Sequence, residues 1–292
     1  MLLSFLMLFV ELALIRWAGS NVVYLSFFSN FVLLGSFLGI GIGFLRARAR
    51  RNAFPWAPVG LAFLVIFVRG FPVEIDRGGT ELIFFGAVPS GLPPWATLPL
   101  IFVAVAATMA MIAEGVARTF VRFPPLEAYR LDLAGSILGI VAFSGLSFLR
   151  APPVVWGIVS GLVFAVLLRR GLRLVDVAAI LAVIGLLAAE SMEATQSWSP
   201  YYRVTVSEVE GRSFDAWNVD VNGIPHQWIG PIEARRRIEP VYFLPYERWR
   251  GGAPRDVLIV GAGTGTDVAI ALSEGARHVD AVEIDPRIYE IG

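Results

Sequence analysis

The sequence predicts a multi-pass α-helical membrane bundle, followed by a small β-hairpin unit and the first β-α-β of an α/β Rossmann-like fold. Three observations carry this. The 292 residues are 56% hydrophobic and only 16% charged, outside the balance of an ordinary soluble domain. Charge is unevenly placed: residues 1–195 hold 14 Arg and 10 Asp+Glu, residues 196–292 hold 10 and 14, so the first part reads as facing lipid and the second water. Near Trp198 long apolar runs give way to two-residue alternation, and then to a strand leading into a glycine-rich turn. The boundaries this implies are 1–195 for about seven spans, 196–230 for the hairpin unit, 231–255 for a helix and linker, and 256–292 for the β-α-β.

A bilayer core needs about 20 apolar residues per helix. Trp17 to Leu45, Asn52 to Val68, Leu82 to Ala113, Leu133 to Leu149 and Ala151 to Leu168 are free of charge. Leu2 to Trp17, with Glu11 and Arg16, and Leu174 to Ala189, with Asp176, complete the set. A removable signal peptide is not expected at the start, because a charge sits inside the run and no basic residue precedes it. Glycines at 35, 39, 41 and 43, and at 135, 139 and 145, read as small-residue packing faces.

The tract Arg46 to Arg51, with Arg118, Arg122, Arg169, Arg170 and Arg173, marks one membrane side as cytoplasmic. The acidic segment at Glu74, Asp76 and Glu81 marks the other. Seven spans from a cytoplasmic N-terminus would deliver the polar part outside, so a cytoplasmic polar part needs one fewer span or a dip near Phe84 to Pro93. Intramembrane ionisable groups carry functional suspicion. Glu11, Arg16, Glu114 and Asp132 are such groups; local pairing, Glu114 with Arg118 and Asp132 with Arg130, is the plainer reading. Lining a polar pathway is the alternative. The absence of Cys excludes disulfides, a thiol nucleophile and a thiolate zinc site. No metal site is expected, and no basic face points to nucleic acid.

In the polar part, Tyr202, Val204 and Val206 alternate, as do Trp217, Val219 and Val221, and Asn222-Gly223 signals a two-residue primed turn. An antiparallel unit is therefore expected over roughly 199 to 229. Ile232 to Tyr246 reads as a helix kinked or ended by Pro240, with Arg235 to Arg237 as its solvated face. DVLIV (256–260) has the look of a buried parallel strand. It enters GAGTG (261–265), after which Thr266 or Asp267 would cap a helix stopped by Gly275, and His278 to Glu283 forms the second strand. Glycines at 261, 263 and 265 let a ligand approach backbone N–H groups at a helix start, and Glu283 can accept from two ribose hydroxyls. Position 266 is Thr, not the third glycine of a dinucleotide fingerprint, so a nucleoside is expected, not NAD.

GAGTGTDVAIAL with AVEID (281–285) resembles the sulfonium-nucleoside site of class I methyltransferases and, more closely, of spermidine synthases. SPYYRV (199–204) and VNGIPHQ (221–227) resemble the hairpin domain that precedes the nucleotide fold in spermidine synthases. ELALIRW (11–17) and YRLDLAGSILGI (129–140) are similar to the spanning region of spermidine synthase-like membrane proteins. The resemblance implies a transferase of polyamine biosynthesis, with decarboxylated S-adenosylmethionine or S-adenosylmethionine as donor. It assigns donor binding to Gly261, Gly263, Thr264, Gly265, Glu283 and Asp285, the last beside the adenine. It places Tyr202, which stands where soluble synthases carry Gln, and Gln227 at the acceptor side. The family's acidic elements are not matched in GPIEARRRIEPVYFLPYE (230–247), so the amine stays open. A doubly wound sheet needs further strands; the chain reads as C-terminally truncated, with its catalytic base unassigned and the fragment inactive. The implied partners are the bilayer, a small-molecule amine and a second copy of the chain. The implied location is a bacterial inner membrane with the polar part cytoplasmic. A methyltransferase on a lipid or small amine, and a transporter or sensor with a nucleotide-binding regulatory domain, are the alternatives.

Overall fold

The computed structural model describes residues 1–28, 30–75, 89–211 and 213–292. The chain divides into two compact units, one built on residues up to Ala194 with the turn Asn222–Ile224, and one on Thr195–Val221 with Pro225–Gly292.

The first unit is helical. α1 (Leu2–Asn21) ends where Val22 turns extended and bridges Val73. The apolar run from Trp17 to Leu45 is therefore split: α1 takes its start, α2 (Val23–Phe27) is a single turn or so, and α3 (Asn30–Leu45) carries the rest. A short turn at Phe54–Trp56 leads into α4 (Ala57–Gly70). β1 (Glu74–Ile75) pairs antiparallel with β2 (Pro89–Ser90). The expectations for Asp76, Glu81 and the start of the 84–93 dip fall outside the described residues. α5 (Pro94–Phe120), α6 (Pro125–Phe148) and α7 (Pro153–Leu168) each begin on a proline, whose fixed φ and missing N–H suit a first helical turn. α8 (Leu174–Ser191) closes the unit.

Among the described residues, α1, α5, α6 and α8 are long and apolar enough to cross a membrane, at 20, 27, 24 and 18 residues. The apolar helices at Asn30–Leu45, Phe54–Gly70 and Pro153–Leu168 are shorter. Leu34, Phe37, Phe63, Ile66, Val103 and Val141 project outward, a pattern compatible with a membrane around the helices.

Glycines set the helix contacts. A Cβ added at Gly35, Gly39 or Gly43 would meet α5, and one at Gly135 or Gly139 would meet α1. Gly41 and Gly145 have nothing within 4 Å. The packing face is the i, i+4, i+8 row; a step of two residues points elsewhere around the helix. Gly157 and Gly161 do the same against α8, where Ile180 and Leu187 approach.

Charged residues collect at the two ends of this unit. At one, the wholly buried Glu114 accepts from Arg46 Nε (2.9 Å), Arg118 Nε (2.7 Å) and the Ala53 N–H (3.2 Å). There Arg173 binds Asp176 and the Pro55 carbonyl and stacks over Trp56. At the other, Glu190 accepts from Trp17 Nε1 (2.7 Å) and Asn21 Nδ2 (3.1 Å), and Arg69 pairs with Glu193 at 2.9 Å. The expected Glu114–Arg118 pair is present, with Arg46 added. The expected Asp132–Arg130 pair is not: residues two apart on a helix point to different sides, and Asp132 Oδ1 is buried without a hydrogen-bond partner. Glu11 likewise leaves Oε1 without a hydrogen-bond partner. Arg16 lies over the Trp156 ring.

The second unit opens with an antiparallel sheet of β3 (Gln196–Trp198), β4 (Arg203–Glu208), β5 (Trp217–Val221) and β6 (Ile224–Ile229), in that spatial order. It starts a few residues before the hairpin expected from alternation, because β3 pairs Gln196 with Thr205 and Trp198 with Arg203. Asn222 (φ 52°) and Gly223 (φ 75°) form the predicted primed turn. Val204 and Val219 are fully buried and pack with Ile288.

α9 (Ile232–Ile238) stops before Pro240, and a short turn at Pro240–Phe243 leads into α10 (Leu244–Arg248). The three arginines of α9 do not form one solvated face: Arg236 and Arg237 are exposed, whereas Arg235 is 4% exposed. β7 (Asp256–Val260) and β8 (His278–Val282) pair in parallel and are joined through α11 (Thr266–Ser273); α12 (Pro286–Ile291) follows. The helix cap is Gly265 at φ 89°, not Thr266 or Asp267. A left-handed residue ends the turn there, leaving the next two inside the helix. Gly275 at φ 92° stops α11 as expected. β7 is not buried on both faces: Ile259 packs on α11, while Leu258 and Val260 are 68% and 78% exposed, because among the described residues one helical layer covers one side of two strands.

Candidate functional site

The site is built where β7 ends. Gly261, Gly263 and Gly265 all take positive φ, at 78°, 57° and 89°, a run that L side chains resist. The N–H groups of Gly261 and Ala262 donate to the Val282 carbonyl at 2.8 and 3.0 Å, binding the turn to the end of β8. The next residue, Glu283, spreads its carboxylate across the turn: Oε2 accepts from the Gly263 N–H at 2.7 Å and Oε1 from the Asp285 N–H at 2.9 Å. Each oxygen retains lone-pair capacity beyond one such bond. The turn thus presents a preset carboxylate beside exposed backbone, the geometry that accepts two neighbouring hydroxyls.

Gln227, on β6, reaches the same turn. Its Oε1 accepts from Thr264 N (3.3 Å) and Thr264 Oγ1 (3.1 Å), and its Nε2 is buried with no hydrogen-bond partner. A Cβ at residue 263 would stand 2.7 Å from Gln227 Oε1 and push that side chain aside, while the φ of 57° is what favours glycine there.

A cavity of about 360 Å³ lies in front of these groups, lined by Tyr202, Gln227, Gly261, Gly263 and Glu283, and also by His226, Arg235, Tyr242, Asp267 and Ile288. Thr264 and Gly265 line a second depression of about 470 Å³, which shares Gly263 and Glu283 with the first. Asp285 lines neither. It is fully buried, and its Oδ1 accepts from the N–H groups of Arg287 and Ile288 at 2.8 and 3.3 Å, capping α12. The structure therefore gathers Tyr202, Gln227, Gly261, Gly263 and Glu283 about one cavity and sets Asp285 beneath it as a support.

The cavity is electrostatically suited to a cation. Asp267 and Glu283 line it. Arg235, also in its wall, is committed elsewhere: it pairs with Glu239, donates to the Trp228 carbonyl and stacks on the Trp228 ring at 3.7 Å. Burial lowers the Arg235 guanidinium from its ordinary value, and Glu239 works in the opposite direction. Two tyrosines, Tyr202 and Tyr242, add ring faces that attract sulfonium or ammonium groups. Behind the turn the Tyr246 phenol is pushed up by burial, with Asp267 and Glu274 adding to the shift.

Arg235, Asp267, His226 and Tyr242 were not marked as site residues by sequence reasoning. The i, i+4 spacing of Arg235 and Glu239 was a legible pair signal, but nothing local to the chain indicates that Trp228 covers that guanidinium.

No family model, no curated protein and no solved structure matches the chain.

Proposed function

We propose that the chain is an integral membrane protein whose C-terminal unit carries a Rossmann-like β-α-β that binds a nucleoside bearing a cationic substituent, in the manner of a spermidine synthase-like aminopropyltransferase. The observation that carries the reading is Glu283: a carboxylate one residue past β8, held by the Gly263 N–H at 2.7 Å over a three-glycine turn, where a ribose would offer its two hydroxyls. Support comes from the two carboxylates and two tyrosines of the cavity, which favour decarboxylated S-adenosylmethionine, with its sulfonium and its ammonium, over a donor that retains a carboxylate. In the transfer, the acceptor amine's lone pair forms a bond to the propyl carbon. The carbon–sulfur bond breaks with its electron pair moving to sulfur, giving a neutral thioether nucleoside, and the new ammonium gives a proton to water. Gln227, Tyr202 and Asp267 are the residues we assign to orienting the amines, since orientation supplies most of the rate in such a displacement. No residue of this chain is assigned as the base.

A second reading is favoured by the ends of the helical unit. Arginines 46, 118 and 173 gather at one end, and Glu193, where the unit hands on to the rest of the chain, lies at the other beside Arg69. If the arginine end is cytoplasmic, that supports a membrane sensor or transporter whose nucleoside site samples the opposite compartment, and not a transferase whose cytoplasmic placement keeps it beside a cytoplasmic donor.

The test is calorimetric binding of S-adenosylmethionine, decarboxylated S-adenosylmethionine and methylthioadenosine to the detergent-solubilised chain and to its Glu283→Ala variant. Preference for the decarboxylated donor, lost in the variant, is the expected result. Preference for the intact donor moves the reading to a methyltransferase, and failure of all three to bind overturns it.

A further inference from the structure

A second cavity lies in the helical unit, apart from the nucleoside site and independent of its reading. It measures about 180 Å³ and is enclosed by the first turn of α1, the last turns of α5 and the second turn of α6, with Leu167 of α7 completing the wall. Leu2, Leu3, Val116, Phe120 and Leu131 make it apolar. Asp132 is the charged side chain of the lining, and Met1, which bears the chain's amino group, lies in the same wall.

The carboxylate is the unexplained feature. Its Oδ1 is buried without a hydrogen-bond partner, and the neighbouring Arg130 points away and is exposed. Glu114, another acid at this end, shows what a settled carboxylate looks like here: two guanidinium groups and a backbone N–H surround it. Asp132 is half-buried, but a carboxylate oxygen buried without a partner is costly, and a cation brought beside it removes that cost. A neutral amphiphile would fill the walls and leave Asp132 unpaired; an anionic one would oppose it. Phe120 and Phe123, both in the wall, add ring faces that attract an ammonium.

We propose that this cavity binds a primary ammonium carried on an aliphatic chain, with the ammonium against Asp132 and the chain along the leucines and phenylalanines. That chemistry has two sources, a free long-chain amine and the headgroup of an aminolipid.

The experiment uses the full chain in phosphatidylcholine nanodiscs and a twelve-carbon primary amine bearing a mid-chain diazirine, photolysed and mapped by peptide mass spectrometry. Labelling should fall on the α5–α6 peptides that contain Phe120 and Asp132, saturate, and be displaced by excess dodecylamine but not by dodecanol or dodecanoate. Asp132→Asn should lower it at least about tenfold, the loss of one buried charge partner, and Asp132→Glu should restore most of it. Thermal unfolding of both variants shows whether either has merely failed to fold, and Asp132→Glu carries the test in that event. Displacement by phosphatidylethanolamine in the disc identifies the aminolipid as the source; its absence identifies the free amine. Equal labelling of Asp132→Asn, or displacement by dodecanol as strong as by dodecylamine, overturns the proposal.

Discussion

Gly39→Ala and Gly41→Ala change the same helix by the same methyl group and should move its stability in opposite directions. A Cβ at residue 39 would stand 2.9 Å from both the carbonyl carbon and the Cα of Ala106, and closer still to its oxygen. An ordinary carbon–carbon contact is about 3.5–4.0 Å, and the obstructing atoms are backbone, which cannot rotate aside. α3 would have to withdraw from α5 by more than half an ångström along its most closely packed stretch. Forcing a methyl group into a packed contact costs about 1–3 kcal/mol, against a gain of about 1 kcal/mol from replacing a mid-helix glycine. The net expectation is a loss of up to about 2 kcal/mol. At Gly41 nothing lies within 4 Å, so only the gain of up to about 1 kcal/mol remains. The assay is reversible unfolding in mixed micelles with increasing dodecyl sulfate, followed by far-ultraviolet circular dichroism, with the two variants and the parent side by side. The reasoning is refuted if Gly39→Ala is as stable as Gly41→Ala.

Three further outcomes are expected. Glu114→Gln removes the acid shared by Arg46 and Arg118 and should cost about 2–3 kcal/mol, discounted because both guanidinium groups reach solvent; trypsin should then cut within 46–51 several times faster, and unchanged cleavage would show that the acid does not hold that loop. Arg235→Met leaves Glu239 without its cation and uncovers Trp228, so the second unit should lose about 2–4 kcal/mol with a shift in tryptophan emission; no change in either would mean that the buried guanidinium is dispensable. The chain has no Cys, so Arg48→Cys and Met192→Cys each carry a single thiol, and an impermeant maleimide applied to intact cells and to inverted vesicles should reach them from opposite sides. Labelling of both from one side would refute the alternation of the helices.

The nature of each element was legible wherever a local backbone requirement coincides with a residue type. Asn222-Gly223 demanded positive φ twice and adopts it twice; Gly275 ended its helix; DVLIV became β7 at the residues expected. The prolines at 94, 125 and 153 open helices for the same kind of reason. Glu283 was legible as the strand-end acid because spacing along a β-α-β unit fixes where the second strand finishes.

Long-range geometry was not legible. Which glycines of the 35–43 run face a neighbour depends on where α5 lies, and Gly41 turns out to face nothing. Asp132 has an arginine two residues away in sequence, yet its Oδ1 is buried without a hydrogen-bond partner. Arg235 reads as one of three solvated arginines until Trp228, from another element, stacks upon it. Asp285 reads as a ligand group and serves as a helix cap. By itself the sequence determined the uneven division of charge along the chain, the apolar helices, the primed turn and the glycine-turn-plus-acid arrangement, because composition, period and backbone sterics act over a few residues. Only the tertiary structure decided which charges are paired, which faces are covered and which side chains meet in a cavity, because burial and pairing depend on partners that are remote along the chain.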